Sequence, residues 1–136
     1  MQLIPYLSFN GQCAEAFRLY EKAFDGKITF SMTYGESPMA AQAPTEFQKR
    51  IMHVTLAAGD SIIHGADAPP NSYSKPQGFS VAVAIKSTEE ADRIFAALSE
   101  GGDIKMPMQK TFWAERFGFV IDRFGTPWMI NCGKPA

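Results

Sequence analysis

His53 and His64 are the two histidines of this 136-residue chain, and an imidazole is the side chain here able to exchange protons near neutral pH. His53 lies in Arg50-Ile-Met-His-Val-Thr-Leu-Ala57 and has two readings: a buried histidine with a structural role, or an acid or base facing a ligand. His64 ends Ser61-Ile-Ile-His64 beyond a turn at Ala58-Gly59-Asp60. It reads either as a ligand-facing group or as a surface residue at a strand end, and a slip of one residue would put Ile63 in its place. Ser80 and Asn131 are further polar candidates. Cys13 and Cys132 lie near opposite ends of the chain and are too few for a CxxC-type zinc site, so free thiols in a reducing compartment are expected. Gly101-Gly102 lacks the spacing of a phosphate-binding or dinucleotide fingerprint, and no GxSxG elbow is present.

The elements that must position these groups follow from periodicity. Leu3 to Phe9 alternates as a strand limited by Pro5. Cys13 to Phe24 is helical, with Ala16, Phe17, Tyr20 and Phe24 on one face, and Asp25-Gly26 ends it. Lys27 to Tyr34 is a second strand. Residues 35–48 carry two prolines and no period, which makes them a loop and a candidate rim or lid. The hairpin carrying both histidines follows, and then Asp67 to Gly78 is rich in proline and turn residues, as a linker is.

The pattern then restarts. Phe79 to Ile85 reads as a strand, and Ser87 with Glu90 forms a capping-box arrangement opening a helix that Gly101-Gly102 stops. Ile104 begins a short strand. Phe112-Trp-Ala-Glu-Arg116 is a connector, with Glu115 and Arg116 expected to form a solvated pair. Phe117 to Asn131 is a hairpin around Asp122-Arg-Phe-Gly125. Ala16, Arg18, Leu19 and Tyr20 match Ala91, Arg93, Ile94 and Phe95, and Gly26-Lys-Ile28 matches Gly102-Asp-Ile104. The chain therefore reads as one domain of residues 1–136 made of duplicated halves, each strand–helix–strand–strand–strand. The halves are 1–66 and 79–133, joined by 67–78.

Hydrophobic residues are 46% and charged residues 20%, with a net charge of −1. This balance argues for a globular chain and against capture of nucleic acid or an anionic membrane. Met1-Gln-Leu-Ile-Pro-Tyr lacks the basic residues and apolar core of a signal peptide, and no apolar run reaches membrane-spanning length, so a cytoplasmic location is expected.

Paired βαβββ modules resemble the vicinal oxygen chelate superfamily, which includes glyoxalase I, extradiol dioxygenases and the fosfomycin and bleomycin resistance proteins. Within it, the chain resembles the PhnB-like, glyoxalase-like family. The residues that carry the resemblance are Pro5-Tyr-Leu-Ser-Phe-Asn-Gly11 with Ala16 and Tyr20, Met52-His-Val-Thr-Leu-Ala-Ala-Gly-Asp60, Gly101-Gly102, Thr111-Phe-Trp113, Phe117-Gly118 and Asp122-Arg-Phe-Gly-Thr-Pro-Trp-Met-Ile-Asn131. The implied fold class is α+β: two tandem βαβββ modules forming a curled mixed sheet. Relatives assemble their cups from modules of two chains, which implies a homodimer.

In metal-using relatives the first and last strands of each module supply the ligands, and those places fall here on Pro5, His64, Ser80 and Met129. Hard divalent cations want oxygen donors, and zinc or nickel in this fold wants His and Glu, so this set implies no catalytic metal and no cofactor. Strand alternation separates Ser80, Ala82 and Ala84 from Val81, Val83 and Ile85, whose bulk should meet a helix. It also groups Phe117 with Phe119 and Met129 with Asn131. The expected ligand-binding cup is Leu7, His53, His64, Ser80, Ala82, Trp113, Phe117, Phe119, Met129 and Asn131, with His53 as the candidate catalytic residue. The reading that follows is a cup protein binding a small apolar or aromatic molecule without metal. A metal-dependent lyase, isomerase or dioxygenase and a non-catalytic sequestering protein are the alternatives. A methyltransferase activity, a label carried by some PhnB-like chains, is not supported, because no glycine-rich cofactor turn follows a strand.

Overall fold

The computed structural model describes residues 1–133, which fall into two compact units, Met1–Ser74 and Lys75 onward. In the first, β1 (Tyr6–Phe9), α1 (Cys13–Ala23), β2 (Lys27–Thr33), β3 (Ile51–Ala58) and β4 (Ser61–Asp67) build a four-stranded sheet of order β1-β4-β3-β2. In the second, β5 (Val81–Ile85), α2 (Thr88–Ser99), β6 (Asp103–Gln109), β7 (Arg116–Ile121) and β8 (Pro127–Cys132) repeat that order as β5-β8-β7-β6. Each unit's first and last strands pair in parallel and the others antiparallel. This is the α+β arrangement of two βαβββ modules, with each module's hydrogen-bonded ladder complete within itself. No helix among the described residues is long and apolar enough to cross a membrane.

One helix covers one face of each sheet. Cys13, Ala16, Phe17, Tyr20 and Ala23 are the buried residues of α1, and Ala91, Ile94, Phe95 and Leu98 those of α2. The matched glycines share one duty. A Cβ on Gly26 would stand 2.7 Å from the Ala57 carbonyl oxygen, and one on Gly102 would stand 2.6 Å from that of Ile121. The duplication is thus carried by backbone approach at the helix-to-strand turn as well as by helix pattern.

Several boundaries differ from expectation. β1 starts at Tyr6 rather than Leu3, because Pro5 has no N–H for the ladder; its carbonyl instead accepts from His64 N at 2.9 Å. β5 starts at Val81, which leaves Ser80 in the preceding connector. β6 runs to Gln109 through Pro107, which is tolerated because β6 is an edge strand with a broken register there. Residues 40–42 and 45–47 form short 3₁₀ turns within the expected loop. Ser87 Oγ accepts from Glu90 N at 3.2 Å as an N-cap, while the carboxylate it meets is that of Glu89. Arg116 pairs with Asp92 across to α2, at 2.8 Å, rather than forming a solvated pair with its neighbour Glu115.

Two buried carboxylates tie the loops. Asp122 Oδ1 accepts from the backbone N–H groups of Phe124 and Thr126, and its Oδ2 accepts from Trp128 Nε1 at 2.8 Å. This explains the Asp122…Gly125…Trp128 stretch as a self-locked hairpin turn, with Gly125 at φ 97°. Asp67 does the same in the first unit. Its Oδ1 accepts from Gly11 N and Cys13 N, and its Oδ2 from Ile51 N, at 2.7, 3.1 and 2.9 Å.

Candidate functional site

The face of the first sheet turned away from α1 carries the chemistry. Tyr6 pairs with His64 across the parallel β1–β4 ladder, and His64 pairs with Thr55 on β3. His53 lies two residues before Thr55, on the same face. The result is a cluster: the His53 and His64 rings meet edge to face at 4.8 Å, and Tyr6 lies 5.7 and 6.0 Å from them. Phe30 on β2 closes the far side, 6.0 Å from His53.

Two hydroxyls meet the His53 ring. Tyr6 Oη lies 3.1 Å from His53 Nδ1, and Thr55 Oγ1 lies 3.3 Å from His53 Nε2. Burial above all pushes the Tyr6 phenol above its ordinary value, so it stays protonated. Burial, then the neighbouring His64, lowers the His53 imidazole below 6.5, so it is neutral at pH 7, with one ring nitrogen able to donate and the other to accept. An imidazole behind a phenol can take up a proton that the phenol releases.

The shift has a sign that can be tested. Between its lowered folded value and the ordinary 6.5, the unfolded chain binds more protons at this position than the folded one. His53 therefore withdraws stability as pH falls below about 6.5 and costs nothing above it. We expect the His53 ring resonances to titrate below 6.5 by NMR, and His53→Gln to flatten the fall in melting temperature between pH 7 and 5. Titration above 6.5 would contradict the assignment.

A cavity of about 440 Å³ adjoins this cluster within the first unit. Its walls include Tyr6 and Ser8 of β1, Met52 of β3, Tyr34, and Ala66 and Asp67 at the end of β4. Met39, Gln42, Ala43, Pro44 and Phe47 of the 3₁₀ segment form another wall, and Pro69, Pro70 and Ser72 the rest. A register step pairs Met32 with His53 but Thr33 with Ile51, so Met52 is the extra residue of a bulge, and its side chain goes to the cavity. Gln48 clips the 3₁₀ wall together: its Nε2 donates to the Ala40 and Ala43 carbonyls, both at 2.9 Å. Replacing it, Gln48→Ala, should loosen this wall with little effect on global unfolding. The expected readout is faster amide exchange confined to residues 40–48; unchanged exchange there would contradict the clip.

The expected site residues are placed as follows. His53 and His64 come together, but the cavity is lined by Tyr6, and His53 reaches it only through the Tyr6 hydroxyl. Leu7 falls on the opposite face: it is 4% exposed and pairs with Gly65, whose Cβ would press on Phe17 of α1. The first-strand parity was off by one, and Tyr6 and Ser8, not Pro5 and Leu7, share the His64 face. The apolar pair Leu7 and Phe9 against polar Ser8 carried that signal. In the second unit, Ala82, Met129 and Phe119 form one cross-strand row, and Asn131 and Phe117 belong to the next. Trp113 packs on Phe117 at 5.2 Å from the connector and stays 42% exposed. Ser80 precedes these rows. Tyr6 and Met52 are the site residues that pattern alone missed, while the 3₁₀ wall lies within the segment 35–48 read as a candidate rim or lid.

Neither thiol suits nucleophilic work. Cys13 and Cys132 are free and buried, and burial pushes both above the ordinary thiol range, with Asp67 adding to the effect at Cys13 and Glu115 at Cys132. The positions that the resemblance makes metal ligands do not fit a divalent cation. Pro5 offers only a carbonyl already taken by His64 N, Met129 offers a thioether, and Ser80 a hydroxyl outside the strands. Among the described residues, no group of three or more His, Cys, Asp or Glu side chains is placed to hold an ion.

Comparison with known proteins places this geometry. The family model for 3-demethylubiquinone-9 3-methyltransferase matches residues 1–131. Protein YjdN of Escherichia coli K12 is 37% identical, over 98% of this chain and 97% of its own. Protein PA1353 of Pseudomonas aeruginosa has a crystal structure that superposes with a TM-score of 0.91 at 39% identity, covering 99% of both chains. A PhnB protein of Bacillus cereus, described as a putative 3-demethylubiquinone-9 3-methyltransferase, shares the fold at 22% identity and a TM-score of 0.81, over 98% of this chain and 100% of its own. The chain belongs to this PhnB-like family.

Proposed function

We propose that this protein binds a small apolar or aromatic molecule in the cavity of its first unit, without a catalytic metal. One observation supports this reading above the rest. Most of the cavity wall is aromatic rings, thioethers, prolines and alanines, and Tyr6 among them is backed by a neutral His53. Such a wall takes up apolar surface, while the phenol gives a polar group of the ligand one directed contact. Any chemistry would be proton transfer at the Tyr6 hydroxyl, with His53 as the positioning residue that holds and can relieve its proton. The open row of Ala82, Phe119 and Met129 in the second unit, with Trp113, Phe117 and Asn131 beside it, is proposed as a second apolar surface for the same class of ligand. We further propose a cytoplasmic homodimer.

Methyl transfer of the kind the family description names is not part of this proposal. The turn from β1 into α1 is Asn10-Gly11-Gln12, and that from β5 into α2 is Lys86-Ser87, and neither offers the glycine-rich cradle that a nucleotide-like methyl donor needs.

A thermal-shift screen of neutral aromatic compounds tests the proposal, run with chelator and again with added Ni²⁺, Zn²⁺ or Mn²⁺. Binding raises the melting temperature with the logarithm of ligand excess. Stabilisation by aromatic compounds that is equal in chelator and in metal is expected, and it should be lost in Met52→Lys. Stabilisation that requires metal would overturn the proposal.

A further inference from the structure

We infer that the first-unit cavity selects uncharged ligands and rejects anions such as carboxylates and phosphates; this rests on the binding reading above. Among the described residues the lining holds no Lys, Arg or His, and its one charged side chain is Asp67. That carboxylate is 1% exposed, and it already accepts from Gly11, Cys13 and Ile51 N–H groups. It therefore sets a negative field on the cavity wall while having no free oxygen to offer a ligand cation as a direct partner.

The donors available to a ligand point the same way. Tyr34 Oη is committed to the Asp67 carbonyl at 2.7 Å, while Tyr6 Oη spends one hydrogen bond on His53 and keeps another for a ligand. Exposed Ser8 and Gln42 remain, Ser72 Oγ being turned to the Pro70 carbonyl at 3.4 Å, and all three are neutral groups. Arg50 is not among the lining residues: its guanidinium stacks on the Phe47 ring at 4.1 Å and turns to Asn10. An anion entering here would give up its hydration for no countercharge and would meet the Asp67 field. A cation would gain from that field at a distance but could form no ion pair. A neutral molecule with one hydrogen-bonding group loses least. A polar group such as an amide, a phenol or a ketone on an apolar body is therefore the class that fits.

Three near-isosteric probes separate these cases: 2-naphthamide, 2-naphthoate and 2-naphthamidinium, titrated calorimetrically into the full chain at pH 7.5. Binding of the amide is expected to exceed that of the carboxylate by about tenfold or more, with the amidinium within about tenfold of the amide. Ser72→Lys, which adds a cation to an exposed part of the wall, is expected to raise the affinity for naphthoate relative to naphthamide at least threefold. Naphthoate binding as tightly as naphthamide would overturn the charge selection alone. Amidinium binding more than tenfold tighter than the amide would replace the neutral class with a cationic one. No binding by any of the three would overturn the cavity reading itself.

Discussion

Asp67→Ala is expected to destabilise the first unit by about 3–5 kcal/mol, because it takes the acceptor from three backbone donors. The residue is 1% exposed and accepts three backbone N–H groups from two separate parts of the chain. Gly11 and Cys13 belong to the turn that launches α1, and Ile51 begins the strand that carries His53. Alanine would leave these donors without a partner, each buried one costing about 1–3 kcal/mol, and would vacate part of the cavity wall. Urea unfolding followed by circular dichroism measures the loss. Asp67→Asn keeps the shape and some acceptor capacity, so it should lie between alanine and the native chain. A loss under 1 kcal/mol for alanine would mean that the three hydrogen bonds do not hold the β1–α1 turn.

Gly65→Ala is the second large effect, at about 1–3 kcal/mol, and it acts by overpacking rather than by loss. A Cβ at this position would press directly into the Phe17 ring. Phe17 is fully buried and fixed by Phe9 and Tyr20, whose rings stand 6.1 and 5.4 Å away, so it has little room to retreat. The contact is also what tells the two faces of the sheet apart: α1 lies on the Gly65 side and Tyr6 on the other. If that account holds, Phe17→Leu combined with Gly65→Ala should cost less than the two changes summed. Additive costs would show that the alanine methyl is accommodated elsewhere.

The fold was legible because its signals are periodic and repeated. Two amphipathic helices each end at a glycine that the sheet backbone approaches closely, and the order of elements is the same on both sides of the proline-rich segment. The site was legible only in part. His53 and His64 could be paired from the hairpin turn, but Tyr6 was hidden by the parity of a four-residue strand. There the alternation from Leu3 suggested an earlier start, and one residue reverses every side chain. The cavity could not be read from pattern. Its walls come from a bulge at Met52 and from a segment whose shape is set by Gln48 bonding to its own neighbours, and neither has a period. Arg116 likewise found Asp92 through the packing of α2 on its sheet, a long-range contact that adjacency to Glu115 does not suggest.

The central claim is that the first unit holds a small neutral apolar molecule against Tyr6, Met39 and Met52. Methionine methyl NMR tests it most directly. With ¹³C-methyl-labelled protein titrated with 2-naphthamide, the methyls of Met39 and Met52 should shift together and saturate on one binding curve. Tyr6→Phe should weaken that curve about threefold to tenfold, the worth of one hydrogen bond of about 0.5–1.5 kcal/mol. Saturating shifts confined to Met106 and Met129, with Met39 and Met52 unmoved, would contradict the account.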